Sequence, residues 1–167
     1  DDTVTLKGAF QGSTFINDGG RDQFTIAQSS GFFNSAFVSN STQGDVLTSG
    51  KAVQFGDTYF DFGTGNDNLV FGGEGTNFYQ SQLLLDGGAD FAAFGSNTSF
   101  SGFTIDLGGD SAIDTIKFAD NFWSDDQVVI SGAGKGDILY IGSNVYYYDG
   151  TGDKAGSNWM SSWGKIS

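Results

Sequence analysis

Six aspartates recur along the chain at a nearly fixed interval. They are Asp22, Asp45, Asp67, Asp90, Asp114 and Asp137, separated by 23, 22, 23, 24 and 23 residues. Carboxylates repeated this regularly can do one of two kinds of chemistry. They can hold a hard cation such as calcium, which takes about six to eight oxygens from carboxylates and turn carbonyls. They can equally accept hydrogen bonds from backbone N–H groups in tight turns, with no metal at all. Stacked at neighbouring-strand distance, adjacent carboxylates repel by about 1 kcal/mol in water and severalfold more at an effective dielectric near 20, so something must neutralise them. Three copies add an acid four residues earlier, Asp18, Asp86 and Asp110, while Arg21 and Lys135 stand close to the aspartate in two copies. Calcium at this corner is the expectation, with Asp67, Asp86, Asp90, Asp110 and Asp114 as first-choice ligands and Asp137, Asp18, Asp22 and Asp45 behind them.

The elements that would position these acids follow from the columns around them. Two residues after each aspartate come Phe24, Leu47, Leu69, Ala92, Ile116 and Leu139; four after come Ile26, Ser49, Phe71, Phe94, Phe118 and Ile141. Seven before come Phe15, Val38, Phe60, Leu83, Leu107 and Ile130, and about ten after come Phe32, Phe55, Phe78, Phe100, Trp123 and Tyr147. Apolar residues alternate with polar ones in "DNLVF", "DTIKF" and "DILYI", and Gly, Asn, Ser and Asp separate the runs, which is strand patterning. Three short strands per repeat, with like residues in ranks, predict an all-β chain. The expected fold is a β-solenoid of about six coils of roughly 23 residues, each burying its inner face only against its neighbours. Residues 1–14 read as an N-terminal partial coil, 15–147 as the solenoid repeats, and 148–167 as a C-terminal cap or docking tail.

Composition agrees and excludes several classes. Proline, cysteine and histidine are absent, glycine numbers 27 and phenylalanine 17, so collagen and disulfide scaffolds are out and the glycines belong to turns. Of the 20 acids only Glu74 is a glutamate, and Asp favours turns where Glu favours helices. A net charge of −13 repels nucleic acid and anionic membranes. No apolar run is long enough for a membrane span, and the opening "DDTVTLKG" does not read as a signal peptide.

One stretch carries a family resemblance. "FGTGNDNLV" (62–70) resembles the repeats-in-toxin nonapeptide, G-G-x-G-x-D-x-U-x with U large and apolar, at every position except the first glycine. "GGEGTNFYQ" (72–80) is a degenerate second copy with Asn77 at the Asp position. The resemblance implies a calcium-binding β-solenoid of a secreted bacterial protein that folds on meeting extracellular calcium. Carried over by position, it nominates Gly63, Gly65 and Asp67 as turn ligands, and Gly87, Asp90, Gly134 and Asp137 after them.

For function, the expectation is a secreted or cell-surface calcium-stabilised structural or adhesive solenoid: a surface-layer, extracellular-fibre or adhesin subunit that self-associates end to end or contacts a neighbouring surface protein. A glycan-binding module or a phage fibre domain is the alternative, with Tyr146, Tyr148, Trp159 and Trp163 as candidate partner contacts. Ice binding fares worse, because the rank Thr25, Thr48, Val70, Ala93, Lys117 and Tyr140 begins as a threonine row and then fails. Without His or Cys the usual general bases and nucleophiles are missing, so no enzyme is expected; Asp125 with Asp126, or Asp106 with Asp110, are the only pairs a carbohydrate-active enzyme could draft.

Overall fold

A computed structural model describes residues 1–121, 123–124, 128–150 and 164–165 of the chain. They form a β-solenoid of three parallel sheets, with no helix among the described residues and hence none that could cross a membrane. Strands are two to four residues long because each alternating run is cut short by a turn. The first coil holds β1 (Thr3–Leu6), β2 (Ala9–Gln11) and β3 (Thr14–Asn17); the second β4 (Gln23–Ile26), β5 (Gly31–Phe33) and β6 (Ala36–Ser39); the third β7 (Val46–Ser49), β8 (Gln54–Gly56) and β9 (Tyr59–Asp61). The fourth holds β10 (Asn68–Phe71), β11 (Asn77–Tyr79) and β12 (Gln82–Leu84); the fifth β13 (Phe91–Phe94), β14 (Ser99–Ser101) and β15 (Phe103–Asp106). The sixth holds β16 (Thr115–Phe118), β17 (Trp123–Ser124) and β18 (Val128–Ser131), and β19 (Ile138–Ile141) opens a seventh.

The first sheet runs β1-β4-β7-β10-β13-β16-β19, the second β2-β5-β8-β11-β14-β17, the third β3-β6-β9-β12-β15-β18. The first continues into β20 (Asn144–Tyr147) and β21 (Gly164–Lys165), both antiparallel. Residues 1–14, read above as a partial coil, contain β1 and β2 and the start of β3.

The interior is built from phenylalanine stacks that repeat at the coil spacing. In the second sheet Phe10, Phe32, Phe55, Phe78 and Phe100 lie one above another, with ring centroids 5.0, 5.5, 5.0 and 5.4 Å apart. Phe71, Phe94 and Phe118 stack at 5.3 and 5.1 Å in the first sheet and meet the second-sheet rings edge to face. Offset stacks along the axis and edge contacts across it are the two favoured aromatic geometries, and this arrangement provides both.

The column seven before the aspartate needs one correction. The third-sheet rank is Phe15, Phe37, Phe60, Leu83, Ile105 and Ile130, so Phe37 and Ile105 replace Val38 and Leu107. Val38 faces outward on β6, and Leu107 is buried in the corner that follows β15. Coils differ in length, and in the second and fifth the extra residues fall between the third sheet and the aspartate; counting back from the aspartate therefore slips by one at Phe37 and two at Ile105, and a one-residue slip changes the face. The cluster ten after the aspartate also ends early: the backbone register sets Ser124 opposite Phe100, and Tyr147 belongs to the antiparallel β20.

Two corners per coil use left-handed residues. Ser29, Ala52 and Asn97 mark one, Asn34, Asp57 and Gln80 the other, all with φ between 45° and 58°. There the amide points toward the following coil, as in Ala52 N–H to Glu74 O (2.9 Å) and Asp57 N–H to Tyr79 O (2.9 Å). The third corner is the aspartate corner.

Candidate functional site: the aspartate corner

The six aspartates do form one column, and it faces inward. Asp22, Asp45, Asp67, Asp90, Asp114 and Asp137 are all buried, at 0 to 4% exposure. Each lies just before a strand of the first sheet, where, from Asp22 to Asp114, the backbone amide of the aspartate bonds a side chain of the next coil instead of joining the main-chain ladder. The carboxylate of the next coil receives that amide. Asp22 N–H donates to Asp45 Oδ1 at 2.8 Å, Asp45 N–H to Asp67 Oδ1 at 2.6 Å, Asp67 N–H to Asp90 Oδ1 at 2.7 Å, Asp90 N–H to Asp114 Oδ1 at 2.9 Å and Asp114 N–H to Asp137 Oδ1 at 3.0 Å. Asp2 N–H donates to Asp22 Oδ1 at one end, and Gly134 N–H to Asp137 Oδ2 at 2.7 Å at the other. The column is a continuous ladder of side chain to main chain bonds.

The second carboxylate oxygens are treated unequally. Asn17 Nδ2 donates to both oxygens of Asp45, whereas Asp67 Oδ2 and Asp90 Oδ2 are buried without a partner. Burial pushes the carboxyls of Asp67, Asp90 and Asp114 up to about 7, 8 and 7, against the lowering effect of the backbone N–H each accepts. Neighbouring charges add to the rise: Asp45 on Asp67; Asp67, Asp114 and Asp110 on Asp90; Asp137 and Asp110 on Asp114. Asp137 is raised by burial as well. Protons therefore neutralise much of the central column near pH 7. Arg21 and Lys135 make no ion pair with it; the terminal amine of Asp1 lies 3.6 Å from Asp22, and Lys51 pairs with Glu74 at 3.7 Å.

The second set of acids stays outside. Asp18, Asp86 and Asp110 are exposed. Asp18 Oδ1 accepts from Asn40 Nδ2 at 3.2 Å, while Asp110 accepts Gly88 N–H at 2.8 Å and Ala112 N–H at 2.7 Å, one at each oxygen. Asp86 has its carboxyl raised first by partial burial and then by Asp61 and Asp106, two acids outside the expected calcium ligands, of which the sequence singles out Asp106 only in a catalytic pair with Asp110. Both occupy the outer rank of the third sheet, on either side of Leu84, and a search keyed to a different register passes over them as ligands.

The nominated glycines serve close approach. A Cβ at Gly65 would lie 2.5 Å from Gln43 O and one at Gly134 2.6 Å from Asp110 O, so coils stack here only without side chains. Gly63 combines φ +75° with a Cβ position 2.9 Å from the carbonyls of Ser39 and Ser41. Gly87 has more room, 3.4 Å from Asp110 Oδ2.

The column carboxylates by themselves do not make up the oxygen count of a calcium cage. The ion takes about six to eight oxygens, yet each column carboxylate already gives one oxygen to a backbone N–H, and no group of three or more acidic side chains gathers into a cage among the described residues. No family model matches. Nor does any curated protein or solved structure match the chain.

Of the candidate partner contacts, Tyr146 is half-buried against the core, and Tyr148, expected on the surface, is buried at 4% exposure, its backbone donating to Asp137 O and accepting from Gly136 N–H, each at 3.1 Å. Trp159 and Trp163, like Asp125 and Asp126, lie outside the described residues, as does most of the 148–167 tail.

Proposed function

We propose that the chain is a structural or adhesive β-solenoid of an extracellular or cell-surface assembly, with no catalytic role. One observation carries the reading: the acids most suited to chemistry are turned inward and bonded coil to coil from Asp22 to Asp137, so their work is to hold a rod together. The nonapeptide resemblance at 62–70 supports kinship with secreted calcium-binding solenoids and an extracellular setting. Calcium is the weaker component of the proposal. Its best support is the pair of unpartnered oxygens, Asp67 Oδ2 and Asp90 Oδ2, which would be the atoms to meet an ion.

Circular dichroism and sedimentation across a concentration series, in calcium and in excess chelator, test both components. Association in calcium that is lost together with β-structure on chelation supports a metal-stapled assembly. Unchanged β-structure with concentration-dependent association supports a proton-neutralised rod. A monomer at every concentration in both buffers removes the assembly reading.

A further inference from the structure

The second sheet presents an uncharged outer face that carries two exposed aromatic rings. In a chain with a net charge of −13, none of the outward side chains of β2, β5, β8, β11 and β14 is charged. Two aromatic rings stand on it, Phe33 at 42% and Tyr79 at 52% exposure. Both are register partners of Gly56, one coil to either side, so they share one outward rank with their Cα atoms two strand spacings, about 10 Å, apart. A Cβ at Gly56 would lie 2.8 Å from the Phe33 ring and one at Gly31 3.0 Å from it, so the ring packs against both glycines while staying 42% exposed. Beside the aromatic rank run the exposed amides of Gln54 and Asn77, neighbours in the adjacent outward rank.

We propose that this face binds an extended, uncharged, β-linked polysaccharide of the cellulose type, lying along the solenoid axis with alternate sugar rings stacked on Phe33 and Tyr79. An aromatic face packs against the apolar C–H face of a pyranose ring, and a ring held against glycines loses little freedom on meeting it. The Cα spacing of the two aromatic residues is close to the disaccharide length of such a chain, and Gln54 and Asn77 stand in the neighbouring outward rank to bond its hydroxyls. Charge decides the ligand class: the acidic molecule repels uronate and sulfated glycans, whereas an uncharged strip meets a neutral polyol without desolvating an ion. Aromatic rings rising from the middle of the strip make it a poor template for ice.

The inference supplies a ligand to the adhesive reading above and rests on that part of it alone; retention on polysaccharide is independent of calcium and of end-to-end assembly, so either can fail without the other. The probes are microcrystalline cellulose and, as the anionic control, insoluble polygalacturonate. Wild type is expected to be retained on cellulose and not on polygalacturonate. Tyr79→Ser should weaken retention about tenfold with an unchanged melting temperature, and Tyr79→Trp should keep it. Phe33→Ser should weaken it too, but Phe33 also covers two glycines, so Tyr79 is the deciding position. Absence of wild-type retention, equal retention on polygalacturonate, or wild-type retention by Tyr79→Ser overturns the proposal. So does a wild-type dimer that dissociates in Tyr79→Ser, which would give the face to a second copy.

Discussion

At the scale of single residues, the aspartate column separates two roles that a carboxyl group combines. As an acceptor, Asp90 satisfies the buried amide of Asp67. Asp90→Ala removes the acceptor and leaves that N–H unpaired, and is expected to cost about 1–3 kcal/mol in urea unfolding. As an acid, Asp90 is costly to ionise. Asp90→Asn keeps an acceptor oxygen and discards the charge, so it should match wild type in acid and exceed it in alkali. The same physics sets the pH dependence of the whole fold. Unfolded, an aspartate titrates near about 3.9; folded, Asp67, Asp90 and Asp114 keep protons to about 7, 8 and 7. The folded state thus binds more protons between those values, and stability must fall as pH rises through that window, being full below about pH 4 and lost beyond about pH 8. Melting in chelator should therefore be higher at about pH 5 than at about pH 9. A flat or rising melting temperature in chelator would mean that the column does not keep its protons when folded.

At the scale of elements, what limits the solenoid is how closely one corner can lie on the next. A Cβ at Gly44 would sit 1.9 Å from the backbone oxygen of Asn66, where no side chain can swing aside. Gly75 is the contrasting case: φ is +76° but nothing lies within 4 Å of a Cβ there. Gly44→Ala should force two coils apart and cost about 3 kcal/mol or more, whereas Gly75→Ala should cost about 1–2 kcal/mol, the conformational penalty alone. Chemical denaturation of the two variants measures the difference; equal costs would show that the corner can relax. The strands themselves were legible in the sequence, because alternation in "DNLVF" or "DTIKF" fixes which side chains face inward. The third-sheet rank was only half legible. Coil-length variation accumulates in the aspartate corner, and only backbone pairing reveals that Phe37 and not Val38 aligns with Phe60.

At the scale of the molecule, each coil touches only its neighbours, so stability is a chain of nearest-neighbour contacts. The first coil has one neighbour, and its inward rings, Phe10 and Phe15, are only partly buried where Phe32 and Phe60 are fully so. Hydrogen exchange should accordingly open β1, β2 and β3 well before β7 to β12. Uniform protection along the rod would mean that the first coil is covered, as in an end-to-end assembly. Truncating the middle of a stack, Phe60→Ala, should cost about 3–5 kcal/mol, since Phe60 is fully buried and stacks on Phe37 at 5.2 Å.

The repeat, the all-β class, the inward ranks of the first sheet and the recurrence of the aspartates were determined by the sequence alone, because periodic burial writes itself into a periodic pattern of side-chain types. Whether Asp67 looks outward to an ion or inward to an amide was decided only by the tertiary structure. Carboxylates in a Gly-rich turn suit either role, and the choice depends on where the neighbouring coil places its N–H. The same holds for Phe33 and Tyr79. Alternation with Phe32 and Phe78 turns each of them outward, but only the stacking of β5, β8 and β11 puts both rings in one rank on an uncharged face, with Gly56 between them.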